Sequence, residues 1–191
     1  MIINLGRLFM TISKHDKDAF DKVVKALLLK KVVILPTDTV YGFSGIVPFT
    51  KEEIQNIKGR DDSKPFIQLI AKPEDIFLYT TISLPQNLLA KWPGALTVIV
   101  PTKEGNKVGF RCPNDEWLRK VIEVCGHPLY SSSVNRTGKP LLTEIEAMEE
   151  EFATEVELIV ASEQCKNGIP STIVEITDSS MNIIRQGAVL L

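Results

Sequence analysis

Lys58, Arg60 and Lys64 place three cations in one short run, and Gly59 and Pro65 break regular structure on either side of Arg60. Lysine and arginine converging on one loop can neutralise a triphosphate and stabilise a departing pyrophosphate. The run is not a P-loop. The chain has no GxxxxGKS/T, and it has no GxGxxG dinucleotide fingerprint.

Pro36-Thr37-Asp38-Thr39-Val40-Tyr41-Gly42 follows an apolar run and is rich in hydroxyls. Loops at strand ends are where α/β proteins bind ligands. If the segment stays extended, Thr37, Thr39 and Tyr41 share one face, which suits a polar ligand. Ser131-Ser132-Ser133-Val134-Asn135 offers small hydroxyl and amide groups for phosphate or ribose. Arg111 and Arg185 each follow an apolar strand-like run, and Ser171 sits where a loop enters one. Singly, each of these also describes an ordinary solvated loop or turn. A serine hydrolase would need GxSxG and a motif histidine, and the only histidines are His15 and His127. Cys112, Cys125 and Cys165 contain no CxxC pair, which argues against a structural zinc site and a disulfide framework.

These residues need elements to hold them. Asp16 to Lys31 predicts an amphipathic helix, with acids in its first turn and lysines in its last. Val32 to Leu35 predicts a buried strand ended by Pro36. Thr50 to Lys58 predicts a helix with a capping box of Thr50 and Glu53. Short helical segments are expected at Pro73 to Tyr79 and Pro85 to Lys91. Further helices are expected at Asp115 to Cys125 and, strongly acidic, at Thr143 to Phe152. Strands are expected at Phe66 to Ala71, Leu96 to Val100, Leu129 to Ser133, Leu158 to Ala161, Thr172 to Ile176 and Met181 to Ile184. Early alternation followed by paired strands predicts an α/β or α+β fold with a mixed sheet, and 1–191 reads as a single domain.

The chain has 191 residues, of which 44% are hydrophobic and 24% charged, ordinary values for a globular protein. A net charge of -2 argues against bulk nucleic-acid binding without excluding a local basic patch. No apolar stretch reaches the roughly 20 residues of a membrane helix, and Met1 to Met10 lacks a signal-peptide pattern. The expected location is the cytoplasm, with no membrane partner.

Taken together and in order, PTDTVYG, KGR with SKPF, WPGALT (Trp92 to Thr97), GFRCP, SSSVN with TGKP, STIVEI and IIRQGA resemble the YrdC-like family. The resemblance runs from about residue 16 onward. It implies a twisted mixed sheet around a deep, positively lined cleft. The activity implied is a nucleotidyl transfer in which L-threonine, bicarbonate and ATP give L-threonylcarbamoyl-AMP and pyrophosphate. A separate transferase complex would then carry the threonylcarbamoyl group to adenosine 37 of tRNA. By the same resemblance, Lys58 with Arg60 match the family's KxR, and Ser133 with Asn135 its SxN. Lys64 and Arg185 match other ATP contacts. Arg111 matches the arginine that clamps the threonine carboxylate, and Thr37, Thr39 and Ser171, joined by Ser131, match the hydroxyl side of that pocket. Mg2+ would be held mainly through ATP oxygens and waters, without a protein ligand.

Two other functions fit the family: a module binding double-stranded RNA or ribosomal RNA, which the net charge disfavours, and a carbamoyl-transfer domain, which belongs in long chains with zinc-binding cysteines. The larger members carry an extra C-terminal domain, which this chain is expected to lack. Several positions depart from the pattern. Pro113-Asn114-Asp115-Glu116 lacks a histidine, Val134 and Glu175 replace usual residues, and Leu141 stands where a small residue is common. Leu69 aligns near a histidine of some members.

Overall fold

Successive side chains on a strand face opposite ways, so a strand that is apolar at every position must be covered on both sides. The central strands meet that condition. Val33 and Leu35 enter one apolar cluster, with Val23, Val24 and Leu27 of one helix and Leu118, Val121 and Ile122 of another. Val32 and Ile34 enter a second cluster, with Ile54, Ile57, Met148 and Phe152. Leu158 and Val160 against Ile159 repeat the division.

The computed structural model describes residues 10–61, 65–165 and 168–191. Its strands are β1 (Met10–Ser13), β2 (Val33–Leu35), β3 (Gly42–Ile46), β4 (Ile67–Leu69), β5 (Leu96–Pro101), β6 (Lys107–Arg111), β7 (Leu129–Ser133), β8 (Leu158–Ala161), β9 (Thr172–Ile176) and β10 (Met181–Arg185). Its α-helices are α1 (Ala19–Leu28), α2 (Lys51–Lys58), α3 (Gln86–Leu89), α4 (Glu116–Cys125) and α5 (Ile145–Phe152), and a 3-10 segment spans Pro73–Leu78. One ten-stranded mixed sheet orders them β1-β8-β2-β3-β7-β4-β6-β5-β9-β10. The α/β class expected from the alternation is the one observed. Among the described residues, no helix is long and apolar enough to cross a membrane.

Several local expectations need correction. The Thr50–Glu53 capping box does not form, because Thr50 Oγ1 donates back to the Ile46 carbonyl at 3.2 Å. At α4 the cap is made: Asp115 Oδ1 accepts the Leu118 N–H at 3.0 Å. β1 and β3 are not among the expected strands. Met-Thr-Ile-Ser carries little strand signal, and Gly42 and Gly45 depress it in β3. Both strands owe their place to pairing, β1 with β8 and β3 with β2 and β7.

In the half of the sheet that runs from β7 to β10, polarity alternates along the strands. Leu96, Val98, Val100, Phe110 and Val174 face a third core cluster that holds Leu84, Leu88 and Trp92. Thr97, Ile99, Gly109, Arg111 and Ile173 face the other way and floor a cleft.

Candidate active site

The cleft encloses about 750 Å³. It brings together Thr37, Thr39, Arg60, Arg111, Ser131, Ser133, Asn135, Ser171 and Arg185, nine of the residues singled out in the sequence. Apolar neighbours include Phe66, Ile67, Leu141 and Ile184. Lys64 lies outside the described residues. Leu69 is fully buried in β4 and faces the core cluster of α1 and α4, away from the cleft.

At one end of the cleft the segment after β2 folds into a tight turn instead of staying extended. Thr37 Oγ1 accepts the N–H groups of Thr39 and Val40, at 3.1 and 3.3 Å, and donates to the Val40 carbonyl at 2.8 Å. Thr37 and Thr39 hydroxyls lie 2.9 Å apart. Since Thr37 spends its hydrogen on Val40, Thr39 is the donor of that pair. The turn sends Tyr41 elsewhere, so the expected three-hydroxyl face does not exist. The Tyr41 hydroxyl donates to Ser162 O and accepts from Ser162 N, both at 2.9 Å. It lines a separate groove with His15, Glu144 and Glu163, and burial pushes its phenol up.

Arg111 ends β6 and is only 4% exposed. Its Nη1 donates to Thr39 Oγ1 at 2.7 Å and its Nε to the Gly94 carbonyl at 3.2 Å. Its Nη2 pairs with Asp38 Oδ1. Burial lowers its proton affinity and the Asp38 charge opposes that shift. The WPGALT loop is shaped for this contact. Gly94 N–H bonds to the Cys112 carbonyl at 2.8 Å, and Trp92 Nε1 to the Leu96 carbonyl at 2.6 Å. Asp38 is not among the residues that composition marks as candidates; its place between Thr37 and Thr39 is the signal the sequence offers.

At the other end α2 stops at Gly59, whose left-handed φ of 58° suits glycine. Lys58 does not line the cleft. It is 4% exposed, and its ammonium donates to Ser133 O at 2.6 Å, Asn135 O at 2.8 Å and Asn135 Oδ1 at 3.1 Å. Three acceptors use all three of its donors. Burial, and then the Arg60 charge, push its pKa down to about 8. Asn135 is equally committed. Its Oδ1 accepts from Ser133 Oγ at 2.7 Å, and its Nδ2 donates to the carbonyls of Arg136 and Lys139. Lys58 therefore braces the Ser133–Asn135 turn from beneath. Arg60 projects into the cleft with its guanidinium 4.7 Å from the Phe66 ring centre. Burial lowers its proton affinity. The neighbouring Arg136 is engaged outside the cleft, with Glu151, Glu155 and the Ile57 carbonyl.

The third wall joins β9 to the chain's last turn. Arg185 Nε and Nη2 both donate to the Ser171 carbonyl, at 3.1 and 2.8 Å, while Ser171 Oγ meets Thr97 Oγ1 at 2.8 Å. Gly187 permits this closure: a Cβ there would lie 2.3 Å from the Pro170 carbonyl oxygen and 2.5 Å from the Ser171 carbonyl carbon. Gly187→Ala is expected to displace that wall and to cost about 1–3 kcal/mol, the usual range for overpacking. Denaturant unfolding of the two proteins measures it.

The arrangement joins a buried, oriented guanidinium with hydroxyls to Arg60 beside a braced Ser–Asn turn and to Arg185 on the third wall. That combination suits a ligand carrying a carboxylate and a second carrying phosphates.

Residues 25–187 match the Sua5/YciO/YrdC family model, described as "Telomere recombination". A putative threonylcarbamoyl-AMP synthase of Methanocaldococcus jannaschii is 30% identical over 96% of this chain and 92% of its own length. The threonylcarbamoyl-AMP synthase of Vibrio campbellii is 31% identical over 88% and 98%. The crystal structure of Pyrococcus abyssi Sua5 complexed with L-threonine superposes with a TM-score of 0.82 at 28% identity, over 93% of this chain and 57% of that one. This chain thus spans nearly all of some relatives and little more than half of others.

Proposed function

The chain belongs to the Sua5/YciO/YrdC family, and on that premise we propose that it is a nucleotidyltransferase that forms L-threonylcarbamoyl-AMP from L-threonine, bicarbonate and ATP, with release of pyrophosphate. The product would serve a threonylcarbamoyl transferase complex acting on tRNA adenosine 37. The observation that carries the proposal is one cleft lined at once by Arg111 with Thr37 and Thr39, and by Arg60 with Ser133 and Asn135.

In this reading Arg111 takes the threonine carboxylate, a bidentate task for a planar fork. Thr37, Thr39, Ser131 and Ser171 bind the polar remainder of the amino acid. Arg60 and Arg185 face the nucleotide's phosphates, with Ser133 and Asn135 completing that side and Lys58 acting through Asn135; Lys64 keeps the ATP role that the family resemblance gives it. The threonine amine adds to CO2 with loss of a proton, or to bicarbonate with loss of water, to give a carbamate. A carbamate oxygen then attacks the α-phosphorus, that bond forms as the bond to pyrophosphate breaks, and the cations stabilise the charge on the leaving group. The protein supplies no nucleophile, so positioning and electrostatics carry the rate. Among the described residues the cleft lining carries no carboxylate, so Mg2+ would be held mainly through the ATP phosphates and waters.

Incubation with ATP, Mg2+, bicarbonate and L-threonine is expected to release pyrophosphate only when threonine is present, with the mixed anhydride visible by mass spectrometry. Release that ignores threonine, or none, refutes the activity.

A further inference from the structure

Asp38 sits between two threonines that line the cleft, yet it is not itself part of the lining. Its Oδ1 pairs with Arg111 Nη2, and its Oδ2 accepts the Asn114 backbone N–H at 3.0 Å. Asp38 therefore ties the guanidinium to the loop after β6 as well as to its own turn. With Thr39 Oγ1 on Nη1 and the Gly94 carbonyl on Nε, every nitrogen of Arg111 has one protein acceptor.

A guanidinium has five N–H groups. Three are spent on these acceptors, which leaves one on Nη1 and one on Nη2. Two N–H groups on adjacent nitrogens match the two oxygens of a carboxylate. Asp38 also supplies the counter-charge. An arginine only 4% exposed would otherwise be a buried, unpaired cation before any substrate arrives. The pair is neutral overall, so it holds a ligand through oriented hydrogen bonds more than through net charge.

We infer that Asp38 is a positioning residue for carboxylate recognition: by holding Arg111 Nη2 against the anchored loop at Asn114, it fixes the orientation in which Arg111 offers its two unspent N–H groups to the carboxylate of an amino-acid substrate. The inference rests on reading this cleft as the L-threonine site.

The test measures binding of L-threonine, L-threoninamide and ATP to the full chain, with weak ligands followed by competition. Asp38→Asn is expected to weaken L-threonine at least tenfold while leaving L-threoninamide and ATP within twofold of wild type, because only the acid has the carboxylate that Arg111 must meet. Asp38→Glu keeps the counter-charge, and with it the fold. By lengthening the support it is expected to weaken L-threonine at least fivefold, again without affecting the amide. Wild-type threonine affinity in both variants overturns the assignment. So do equal losses for acid and amide, which would mark a general structural defect. Arg111→Lys separates the two levels of the argument. If wild type binds no threonine, or the lysine variant binds it as tightly as wild type, the threonine reading of the cleft fails and the assignment falls with it. If Arg111→Lys loses threonine and the Asp38 variants keep it, the reading stands and Asp38 alone is ruled out.

Discussion

Arg60→Ala is expected to reduce threonine-dependent pyrophosphate release by at least a hundredfold, and up to about a thousandfold, while the protein stays folded. Preorganised donors aimed at developing charge are worth about that much when removed singly. Arg60 projects into the cleft, beside the Ser133–Asn135 turn, where leaving-group charge would appear in the proposed reaction. The fold should survive because Arg60 is only partly buried, with its guanidinium over the Phe66 ring. Its loss removes a cation–π contact worth about 0.5–1 kcal/mol. Initial rates at saturating threonine and bicarbonate, set beside far-UV circular dichroism, give the result. A variant with wild-type rates would remove Arg60 from the phosphate role. An unfolded variant would show that Arg60 holds the fold as well as the site.

The second large effect concerns Lys58. Lys58→Met is expected to weaken ATP at least tenfold, although Lys58 does not line the cleft, because Ser133 O, Asn135 O and Asn135 Oδ1 all lose their ammonium donor. Ser133 O and Asn135 O are then left without this donor and Asn135 Oδ1 keeps only Ser133 Oγ, so the turn should open toward water and carry the Asn135 amide with it. The same residue gives a pH signature. Its pKa in the folded protein, about 8, lies below the ordinary 10.5. Between those values the unfolded chain holds the proton and the folded chain does not, so rising pH through this window increases stability by relieving the burial of charge. Below about 8 the burial penalty is present in full. Nucleotide affinity should move the other way, falling from pH 7 to pH 9, since a neutral amine has one donor fewer and no charge to offer the phosphate end of the cleft. Denaturation midpoints and ATP titrations across pH 7 to 10 should therefore diverge, and in Lys58→Met both slopes should flatten. Parallel changes in the two quantities would contradict this account.

What could be read directly from the chain was local. The 3.6-residue period of Ala19 to Leu28, Gly59 and Gly126 closing α2 and α4 in left-handed geometry, and the apolar runs of β2 and β8 depend on residues a few positions apart. The order of the motifs also marked most of the cleft residues, since loops after strands and turn serines announce themselves by composition.

The site's internal geometry depended on contacts between distant parts of the chain. Asp38 meets Arg111 across 73 positions and Lys58 meets Asn135 across 77. Nothing in the neighbours of Lys58 suggests a buried ammonium; a lysine in the last turn of a helix ordinarily stays in water. It is buried because the β7 turn offers it three oxygens. Tyr41 shares a motif with Thr37 and Thr39, yet one hydroxyl-centred turn sends it to a different groove. β1 and β3 have weak strand propensity and exist because neighbouring strands complete their hydrogen bonds. The sequence by itself determined the fold class, most helices and the set of polar residues available for chemistry, because periodicity and turn preference are short-range. Only the tertiary structure decided which of those residues line the cleft and which brace it from beneath. That division follows from the strand order and from the need to give every buried charge a partner.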